Sequence, residues 1–403
     1  MCCRLSRKNL SSAGKPCSKG LCGTTGVLYF TISTRFANDA GKQMPWLVAT
    51  RLRYAGGLTR GGAMTAKKIL DIGCVTWMLL IATQACALDI LLTNDDGFES
   101  AQIRALYAML EVRGHSVVIS APTQNNSGSG GAMGFLHPIG PLTRATRGGT
   151  VSAGSPGVGT DPADPDIHYV DGSPVMSLLY GLDVIAFRKW GRQPDLVISG
   201  PNEGNNQGLI NPSSGTFNNA LYAINRGIPA IAVSSGETEQ RNGLPSDPEA
   251  TEFRIAGLVI DLIERIERNS GRARRKRALL PSGTGLNVNL PKFDPAHGCA
   301  PSEFKFTRIG TATEFQPVFF EKLSDSPAAV GFGAGVPLPG ISFVLPGGAT
   351  PTGVSLPRDT DPNSEANANR ACFISVTPIE WVPEVAPASA RKVRALLRGL
   401  PMM

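Results

Sequence analysis

The sequence has few of the side chains that most often act as nucleophiles. Its 403 residues include four histidines, and only two of its eight cysteines, Cys299 and Cys372, lie after residue 87. None of the histidines falls in the core segments of the polar loops described below, so histidine nucleophile chemistry has little support. His137, in a long loop, is the best acid candidate among them, although its position favours an ordinary surface histidine.

The chain also lacks the run of about 20 apolar residues that a membrane-spanning helix needs. The apolar segment 69–83 is short and is interrupted by Asp71. Lys67 and Lys68 precede this segment and Ala85-Cys86-Ala87 follows it, which is the pattern of a secretory signal peptide. We therefore predict an exported protein, periplasmic or secreted, that is cleaved after Ala87 and keeps no stable membrane anchor.

The alternatives for this leader are a transmembrane anchor or a lipoprotein anchor on Cys86. The residues before Cys86 lack the aliphatic side chain that a lipoprotein site usually has three positions upstream. If the signal peptide spans residues 64–87, residues 1–63 are either an over-extended start of the reading frame or a disordered basic tail. Residues 88–403 are then the folded domain.

The folded part lacks an excess of positive charge. Residues 1–87 contain 12 Lys+Arg and two Asp+Glu, whereas the remaining 316 residues contain 27 basic and 30 acidic side chains. This balance argues against a nucleic-acid polymer as partner. The basic segment 272–277 is short and has no aromatic residue, so we interpret it as a solvated loop.

Cys299 and Cys372 are an even pair in a chain predicted to reach an oxidising compartment. The sequence leaves two alternatives for them, a disulfide bond or two buried thiols.

The order of apolar runs after residue 87 predicts an α/β fold. Short β-branched segments alternate with longer segments of helical period, which is typical of parallel strands joined by crossover helices. Predicted strands are 88–93, 116–120, 195–200, 230–235 and 286–291, and predicted helices are 100–113, 173–187, 216–227 and 249–268. After about residue 300, short runs at 339–346 and 372–378 predict hairpins and an extended β-rich arm to about residue 380. Such arms commonly pair with a second subunit, so we expect a homodimer or a higher homo-oligomer.

The first predicted strand ends in Asn94-Asp95-Asp96-Gly97. Two adjacent carboxylates repel each other, and a divalent cation relieves that repulsion; hard oxygen ligands suit magnesium, manganese or calcium better than zinc. The same four residues also suit a plain Asx turn followed by a capped helix. These residues alone do not decide between the two readings.

Three long loops rich in Gly, Ser, Asn and Pro are predicted at 121–165, 200–215 and 346–370. The first two follow strands at their carboxyl ends, where ligands bind in open α/β sheets. Hydroxyl and carboxamide groups in these two loops can complete an oxygen coordination shell. Beyond them, the segment 213–216 opens a predicted helix, whose free N–H groups and dipole suit a phosphate, although a plain N-cap has the same sequence.

Taken together, ILLTNDDG, APTQNNSGSG, DLVISGPNEGNNQG, SSGT, LNVNLP and FISVTP, in this order, resemble the survival protein SurE family of nucleotidases. The resemblance covers most of residues 88–380. It implies a Rossmann-like, three-layer α/β/α fold with a mostly parallel sheet and a C-terminal β-hairpin arm. It also implies hydrolysis of nucleoside 5′- or 3′-monophosphates with one bound divalent metal ion, magnesium or manganese being expected.

Carried over by position, the resemblance implies that Asp95, Asp96, Ser127 and Asn202 bind the metal. Asn206 and Ser214, Gly215 and Thr216 would bind the substrate phosphate, with Asp95, Asp96 and Asn206 as the catalytic residues.

The chain departs from the family at Pro201 and Glu203, where Gly-Ile-Asn-Ala-Gly is usual, at residues 217–222, where an Ala-rich helix with a Glu is usual, and at Glu365, where Asp is usual. These changes affect substrate preference more than the fold.

Two other functions are compatible with parts of the sequence. A haloacid-dehalogenase type phosphatase needs two Asp two positions apart after the first strand, but Asn94 and Asp96 occupy those places. An exported metal- or nucleotide-binding protein with little or no turnover is the alternative that the departures at Pro201, Glu203 and Tyr222 suggest.

Overall fold

We analysed a computed structural model of the chain. It describes residues 87–270, 278–313, 315–345 and 359–381 and the single residues 348, 350, 351, 353 and 391. All of them belong to one compact unit, Gln84–Met403. The predicted leader 1–63, the signal peptide up to Cys86 and the basic segment 272–277 lie outside the described residues. The described part contains no helix with the length and apolar character to cross a membrane.

The central sheet has nine strands in the described residues, in the order β3-β4-β2-β1-β5-β6-β7-β11-β8. The strands of this sheet are β1 Asp89–Thr93, β2 Ser116–Pro122, β3 Val158–Asp161, β4 Asp164–Val170, β5 Leu196–Glu203, β6 Ala230–Ser235, β7 Thr284–Leu290, β8 Phe304–Phe306 and β11 Ile374–Glu380. All strand pairs are parallel except β3–β4 and β7–β11. The prediction of a mostly parallel α/β sheet is confirmed.

Helices cover both faces of the sheet. They are α1 Ala101–Val112, α2 Pro174–Tyr180, α3 Ala186–Trp190, α4 Gly215–Asn225, α5 Thr251–Ser270, α6 Pro327–Gly331 and α7 Glu365–Arg370. The helix predicted at 173–187 runs to Trp190 because a π-helical turn, Gly181–Ile185, joins α2 to α3. Short 3₁₀ segments lie at Gly208–Ser213, Pro295–His297 and Leu323–Asp325.

The alternation of side chains along β1 explains the two apolar layers. Ile90 and Leu92 belong to one buried cluster, which includes residues of α1 and α5, whereas Leu91 belongs to a second cluster with residues of α2 and α4. A strand buried on both faces reads as a continuous apolar run. The result is the three-layer α/β/α arrangement that the resemblance implies.

The structure corrects two loop predictions. The loop predicted at 121–165 ends earlier, because β3 and the start of β4 occupy residues 158–165. These strands carry Gly, Pro and Asp, whose low strand propensity hid them from a pattern reading. The loop predicted at 346–370 contains α7 from Glu365 onward.

The chain after residue 300 forms an arm and then returns to the sheet. Strands β9 Gln316–Phe320 and β10 Gly340–Val344 pair antiparallel as a separate hairpin, which confirms the predicted hairpin extension. The run predicted at 372–378 leaves this arm, because β11 inserts between β7 and β8. Cys299 and Cys372 form a disulfide with Cα atoms 5.5 Å apart, which decides between the two alternatives for these thiols.

Candidate metal and phosphate site

The polar loops meet at one edge of the sheet. Strand β1 lies between β2 and β5, and the chain passes from the β2 side to the β5 side of β1. The carboxyl ends of β1, β2 and β5 therefore border the crevice at the point where the strand order reverses, which is the usual ligand position in such sheets.

Asn94 closes the turn after β1. Its Oδ1 accepts the Gly97 N–H at 3.1 Å and its Nδ2 donates to the Gly97 carbonyl at 3.0 Å. Gly97 has φ +116°, a conformation that side-chain-bearing residues rarely adopt. The Asx-turn reading is thus correct for Asn94. It leaves the Asp95 and Asp96 carboxylates available for other partners.

Asp95 is buried against the amino end of α4. Its Oδ1 accepts the Thr216 hydroxyl at 2.5 Å, and the backbone N–H groups of Gly215 and Thr216 also donate to the carboxylate. Burial raises the pKa of Asp95, and these hydrogen bonds oppose the rise. The positive end of the α4 dipole therefore faces this carboxylate.

Asp96 is completely buried beside the end of β5. Its Oδ2 accepts the Glu203 N–H at 3.0 Å, and its Oδ1 lies 3.5 Å from the Asn125 amide nitrogen. Burial raises the pKa of Asp96 well above its usual range, and repulsion from Asp95 and Glu203 adds to the rise. The turn thus holds the carboxyl groups of Asp95 and Asp96 in a buried position, where the ionised form of each is disfavoured.

Glu203 brings a third carboxylate to this edge, and Arg147 neutralises it. The Arg147 guanidinium donates to both Glu203 oxygens at 2.8 and 2.9 Å and to the Asp96 carbonyl at 2.7 Å. Ser100 donates its hydroxyl to Glu203 at 3.1 Å. Burial raises the pKa of Glu203, and Arg147 opposes that rise.

Glu99 fixes the loop that carries Arg147. Its buried carboxylate accepts hydrogen bonds from the Thr146 hydroxyl, the Gly148 N–H and both the N–H and hydroxyl of Thr150, at 2.5 to 2.9 Å. The segment 146–150 is therefore an ordered wall of the site. The sequence of this loop does not show its order, because Glu99 lies about 50 residues away in the chain.

Asn202 lies on β5 and Ser127 in the loop after β2, each next to a residue that bonds to the turn of Asp95 and Asp96. Asn202 is buried, and its Oδ1 has no hydrogen-bond partner among the described residues. Ser127 is exposed; the N–H of its neighbour Asn126 donates to the Asp95 carbonyl at 2.7 Å, so its loop lies against the turn. The two predicted neutral ligands thus lie on segments that touch Asp95 and Asp96.

Gly200 explains how β5 delivers Asn202 to this edge. It has φ +113°, and a Cβ there would lie 2.1 Å from the Val233 carbonyl oxygen. Its bond to Pro201 is cis, and the pairing of β5 with β6 shifts register between Ser199 and Asn202. This register shift marks a β-bulge, which bends β5 just before Asn202.

Asn206 is held by its backbone. Its N–H donates to Asn289 Oδ1 at 2.8 Å, and its carbonyl accepts from Asn287 Nδ2 at 3.2 Å and Asn289 Nδ2 at 3.0 Å. Its own Nδ2 donates to the Ser234 hydroxyl at 2.9 Å. In the segment LNVNLP, Asn287 and Asn289 alternate with apolar residues, which predicts that the two asparagines lie on the same face of the strand. This alternation is the sequence signal that could have identified them as supports of Asn206.

The predicted phosphate segment forms the first turn of α4. Ser214 is its N-cap, with its hydroxyl accepting the Phe217 N–H at 3.0 Å. The backbone N–H groups of Gly215 and Thr216 and the Thr216 hydroxyl donate to the Asp95 carboxylate, as described above. The structure thus brings one predicted metal ligand, Asp95, into direct contact with the predicted phosphate segment.

The charges at this edge suit a divalent cation. The described contacts place one cationic group, Arg147, against three buried carboxylates, those of Asp95, Asp96 and Glu203. Buried charges need partners, and the unpartnered Asn202 Oδ1 adds a neutral oxygen of the kind that magnesium and manganese accept. No group of three or more His, Cys, Asp or Glu in the described residues is arranged to hold a metal. A metal here would therefore rely on two carboxylates supplemented by neutral oxygens.

Comparison with protein-family models matches residues 90–315 to the family described as survival protein SurE. The chain is 35% identical to an acid phosphatase of Yarrowia lipolytica over 54% of its own length and 62% of that protein. It is 31% identical to the 5′-nucleotidase SurE of Methanocella arvoryzae over 50% of its length and 66% of that protein. The matches thus span less than two thirds of each of these two relatives.

A longer match joins the chain to the 5′-nucleotidase SurE of Thermosipho africanus, at 28% identity over 72% of this chain and 91% of that protein. Among solved structures, the Aquifex aeolicus SurE protein superposes with a TM-score of 0.52 over 77% of this chain and 99% of its own, at 24% sequence identity. This structural likeness supports the α/β architecture and its order of elements.

Proposed function

The chain belongs to the survival protein SurE family, and from this premise we propose that it is a divalent-metal-dependent phosphomonoesterase. Its proposed substrates are nucleoside 5′-monophosphates, and 3′-monophosphates as a second possibility, which it hydrolyses to nucleoside and phosphate. The observation that carries this proposal is the contact of Asp95, the neighbour of Asp96, with the amino end of α4. A cation site and an anion site then share one edge of the sheet.

We propose that Asp95, Asp96, Ser127 and Asn202 hold one magnesium or manganese ion. When bound, this ion supplies polarisation of a phosphoryl oxygen and neutralises negative charge that develops in the transition state. Asp95 and Asp96 then provide the negative charge that fixes the ion. We propose that one of the two carboxylates also orients the attacking water.

The remaining residues position the phosphate. The first turn of α4, Ser214 to Thr216, offers N–H groups and a positive dipole end, which stabilise an anion without reorganisation. Asn206, whose backbone is held by three hydrogen bonds with Asn287 and Asn289 of β7, contributes its carboxamide to the equatorial oxygens. These roles need fixed geometry, and the buried supports of both segments provide it.

Glu203 does not occupy the cation site in this arrangement. Arg147 binds both of its oxygens, so this departure from the family leaves Asp95 and Asp96 with their negative charge. We therefore favour a working enzyme over the alternative, an exported metal- or nucleotide-binding protein with little or no turnover. The disulfide adds support to the proposed export, because such bonds persist in oxidising compartments.

One assay separates these functions. The purified protein is incubated with a panel of nucleoside 5′- and 3′-monophosphates and magnesium, manganese or a chelator, and released phosphate is measured. We expect release that needs metal and is abolished by the chelator. Nucleotide binding without release at saturating metal would support the binding protein instead.

The same assay tests the two carboxylates. We expect Asp95→Asn and Asp96→Asn to reduce phosphate release at least about 100-fold, because each removes one of two charged metal ligands. Asp261→Asn, an exposed carboxylate on α5, is the matched control and should keep full activity. Full activity in both site variants would exclude the assignment.

A further inference from the structure

A buried polar cluster lies behind the Asn206 loop and has no role in the mechanism above. Glu365, the first residue of α7, is completely buried, and its Oε1 accepts the Asn287 Nδ2 at 2.7 Å. Its Oε2 has no hydrogen-bond partner within the described part of the chain. The same lack of a hydrogen-bond partner among the described residues holds for Asn287 Oδ1, Gln207 Oε1 and both polar side-chain atoms of Asn211.

This cluster connects directly to a proposed catalytic residue. The Asn287 Nδ2 that donates to Glu365 also donates to the Asn206 carbonyl at 3.2 Å. Glu365 therefore reaches the backbone of Asn206 through a single side chain. On its other side it faces the Gly208 N–H and Asn211 in the 3₁₀ segment that leads to the phosphate segment.

The inventory of donors and acceptors favours a proton on Glu365. Asn211 packs against this carboxyl, and its unpartnered Oδ1 is a carboxamide oxygen, which only accepts. A carboxylate would place a further acceptor beside it, whereas a carboxylic acid supplies an O–H that this oxygen can accept. Leaving buried polar atoms unpaired costs about 1–3 kcal/mol each, so the difference is substantial.

The groups packed against this carboxyl supply no countercharge, and their hydrogen bonds lower the pKa of Glu365 by less than burial raises it. Asn287 of β7, Thr377 of β11, Asn211 and the Gly208 N–H are all uncharged, and none of them titrates. Arg308 accepts the Glu365 N–H with its backbone carbonyl but directs its guanidinium to Asp359 and Asp361.

We propose that Glu365 is a positioning residue for the proposed phosphomonoester hydrolysis, and that it holds Asn206 through Asn287 as a neutral carboxylic acid. Burial raises the pKa of Glu365 to about 7, which agrees with this assignment. Below that pH the acid donates from Oε2 and the loop is fixed. Above it the carboxyl ionises, the donor is lost, and a buried charge loosens the support of Asn206.

The kinetic test compares the pH profiles of the wild type, Glu365→Gln and a matched control. Gln keeps a donor and an acceptor at every pH, so we expect the ratio of its kcat to that of the wild type to rise about tenfold between pH 6 and pH 8.5, with KM unchanged. Glu252→Gln is the control, because Glu252 on α5 is also buried with an unpartnered Oε2. Its ratio should stay constant. A constant ratio for Glu365→Gln as well would overturn the positioning role.

A spectroscopic test does not depend on turnover, although the proposal rests on the proposed function. We expect the infrared band of a protonated carboxyl at pH 6 that is absent from Glu365→Gln, and we expect the Asn206 backbone amide resonance to titrate together with the loss of this band. Absence of the band at pH 6, or an Asn206 resonance that does not follow it, would overturn the proposal. Failure of the wild type to release phosphate would instead refute the proposed function alone, since both titrations are read without substrate.

Discussion

Single residues at the end of β1 combine two roles that the sequence left as alternatives. Asn94 makes the Asx turn, and Asp95 and Asp96 carry the buried charge. The local pattern contained both possibilities, and the assignment depends on which side chain faces the turn and which faces the crevice. Thr216, some 120 residues further along, is the partner that identifies the direction of Asp95.

The buried charge of Asp96 predicts opposite effects on stability and activity. Because burial and repulsion from Asp95 and Glu203 disfavour its ionised form, we expect Asp96→Asn to raise the melting temperature of the metal-free protein at pH 7, by roughly 2–4 °C for about 1 kcal/mol. The wild type, with its raised pKa, should lose this disadvantage as the pH falls from the folded-state pKa towards the ordinary value of 3.8, below which the carboxyl is neutral in both the folded and the unfolded chain.

The check is calorimetry of both proteins at several pH values in the presence of chelator. A melting temperature lowered by Asp96→Asn at pH 7 would show that the carboxylate is stabilised by its surroundings rather than opposed by them. The same variant should lose metal-dependent stabilisation, which separates the two effects.

At the scale of elements, loops that read as flexible are ordered by ion pairs and capping carboxylates. Glu99 holds the segment 146–150, and this segment delivers Arg147 to Glu203. The composition of a Gly-rich loop predicts freedom of the backbone, and the structure removes that freedom with contacts from residues distant in sequence.

The Arg147–Glu203 pair makes a measurable prediction. Both side chains are nearly buried, and removing one partner leaves the other as an uncompensated charge, at a cost of about 3–5 kcal/mol. We therefore expect Arg147→Met and Glu203→Ala each to be strongly destabilising, and the double variant to lose much less than their sum. Urea unfolding of the four proteins measures this coupling, and additive losses would contradict it.

The disulfide joins two further elements, the turn after Pro295–His297 and the segment after α7. It closes a loop between residues 73 positions apart, which reduces the entropy of the unfolded chain and contributes about 2–4 kcal/mol. We expect the Cys299→Ser/Cys372→Ser protein to lose this amount in urea unfolding. A reductant should produce the same loss in the wild type and no loss in the variant; an equal response of both proteins would contradict the prediction.

For the whole molecule, the order of the strands decides where the site lies. The order of the strands in the sheet reverses at β1, so the loops that follow β1, β2 and β5 meet at one crevice. Strand β11 then adds an antiparallel neighbour to β7 and brings α7 and Glu365 behind the Asn206 loop. The carboxyl-terminal part of the chain thus supports a site built from residues 95–216.

The proposed export also belongs to the whole molecule. We expect a protein expressed from Met64 in a bacterial host with a secretory system to appear outside the cytoplasm with Leu88 as its first residue. Fractionation followed by mass measurement of the intact protein and amino-terminal sequencing checks this. A protein that retains residues 64–87 in the cytoplasm would contradict the signal-peptide interpretation.

The sequence by itself determined the α/β alternation, the main strands and helices, and the order of polar segments that resembles the family. These features follow from local periodicity and from short motifs, which a linear sequence contains in full. It did not predict β3, β4, or the order inside the long loop. The low strand propensity of their residues hides β3 and β4, and the order inside the long loop depends on its hydrogen bonds with Glu99.

The tertiary structure alone decided which side chains meet. Arg147 binds Glu203, Thr216 binds Asp95, and Glu365 reaches Asn206 through Asn287, and every one of these contacts joins residues more than 50 positions apart. Burial then changes the chemistry of the carboxyl groups, because the cost of an ionised group depends on its surroundings rather than on its neighbours in sequence. The NDDG turn is therefore visible in the sequence, whereas its charge balance is a property of the fold.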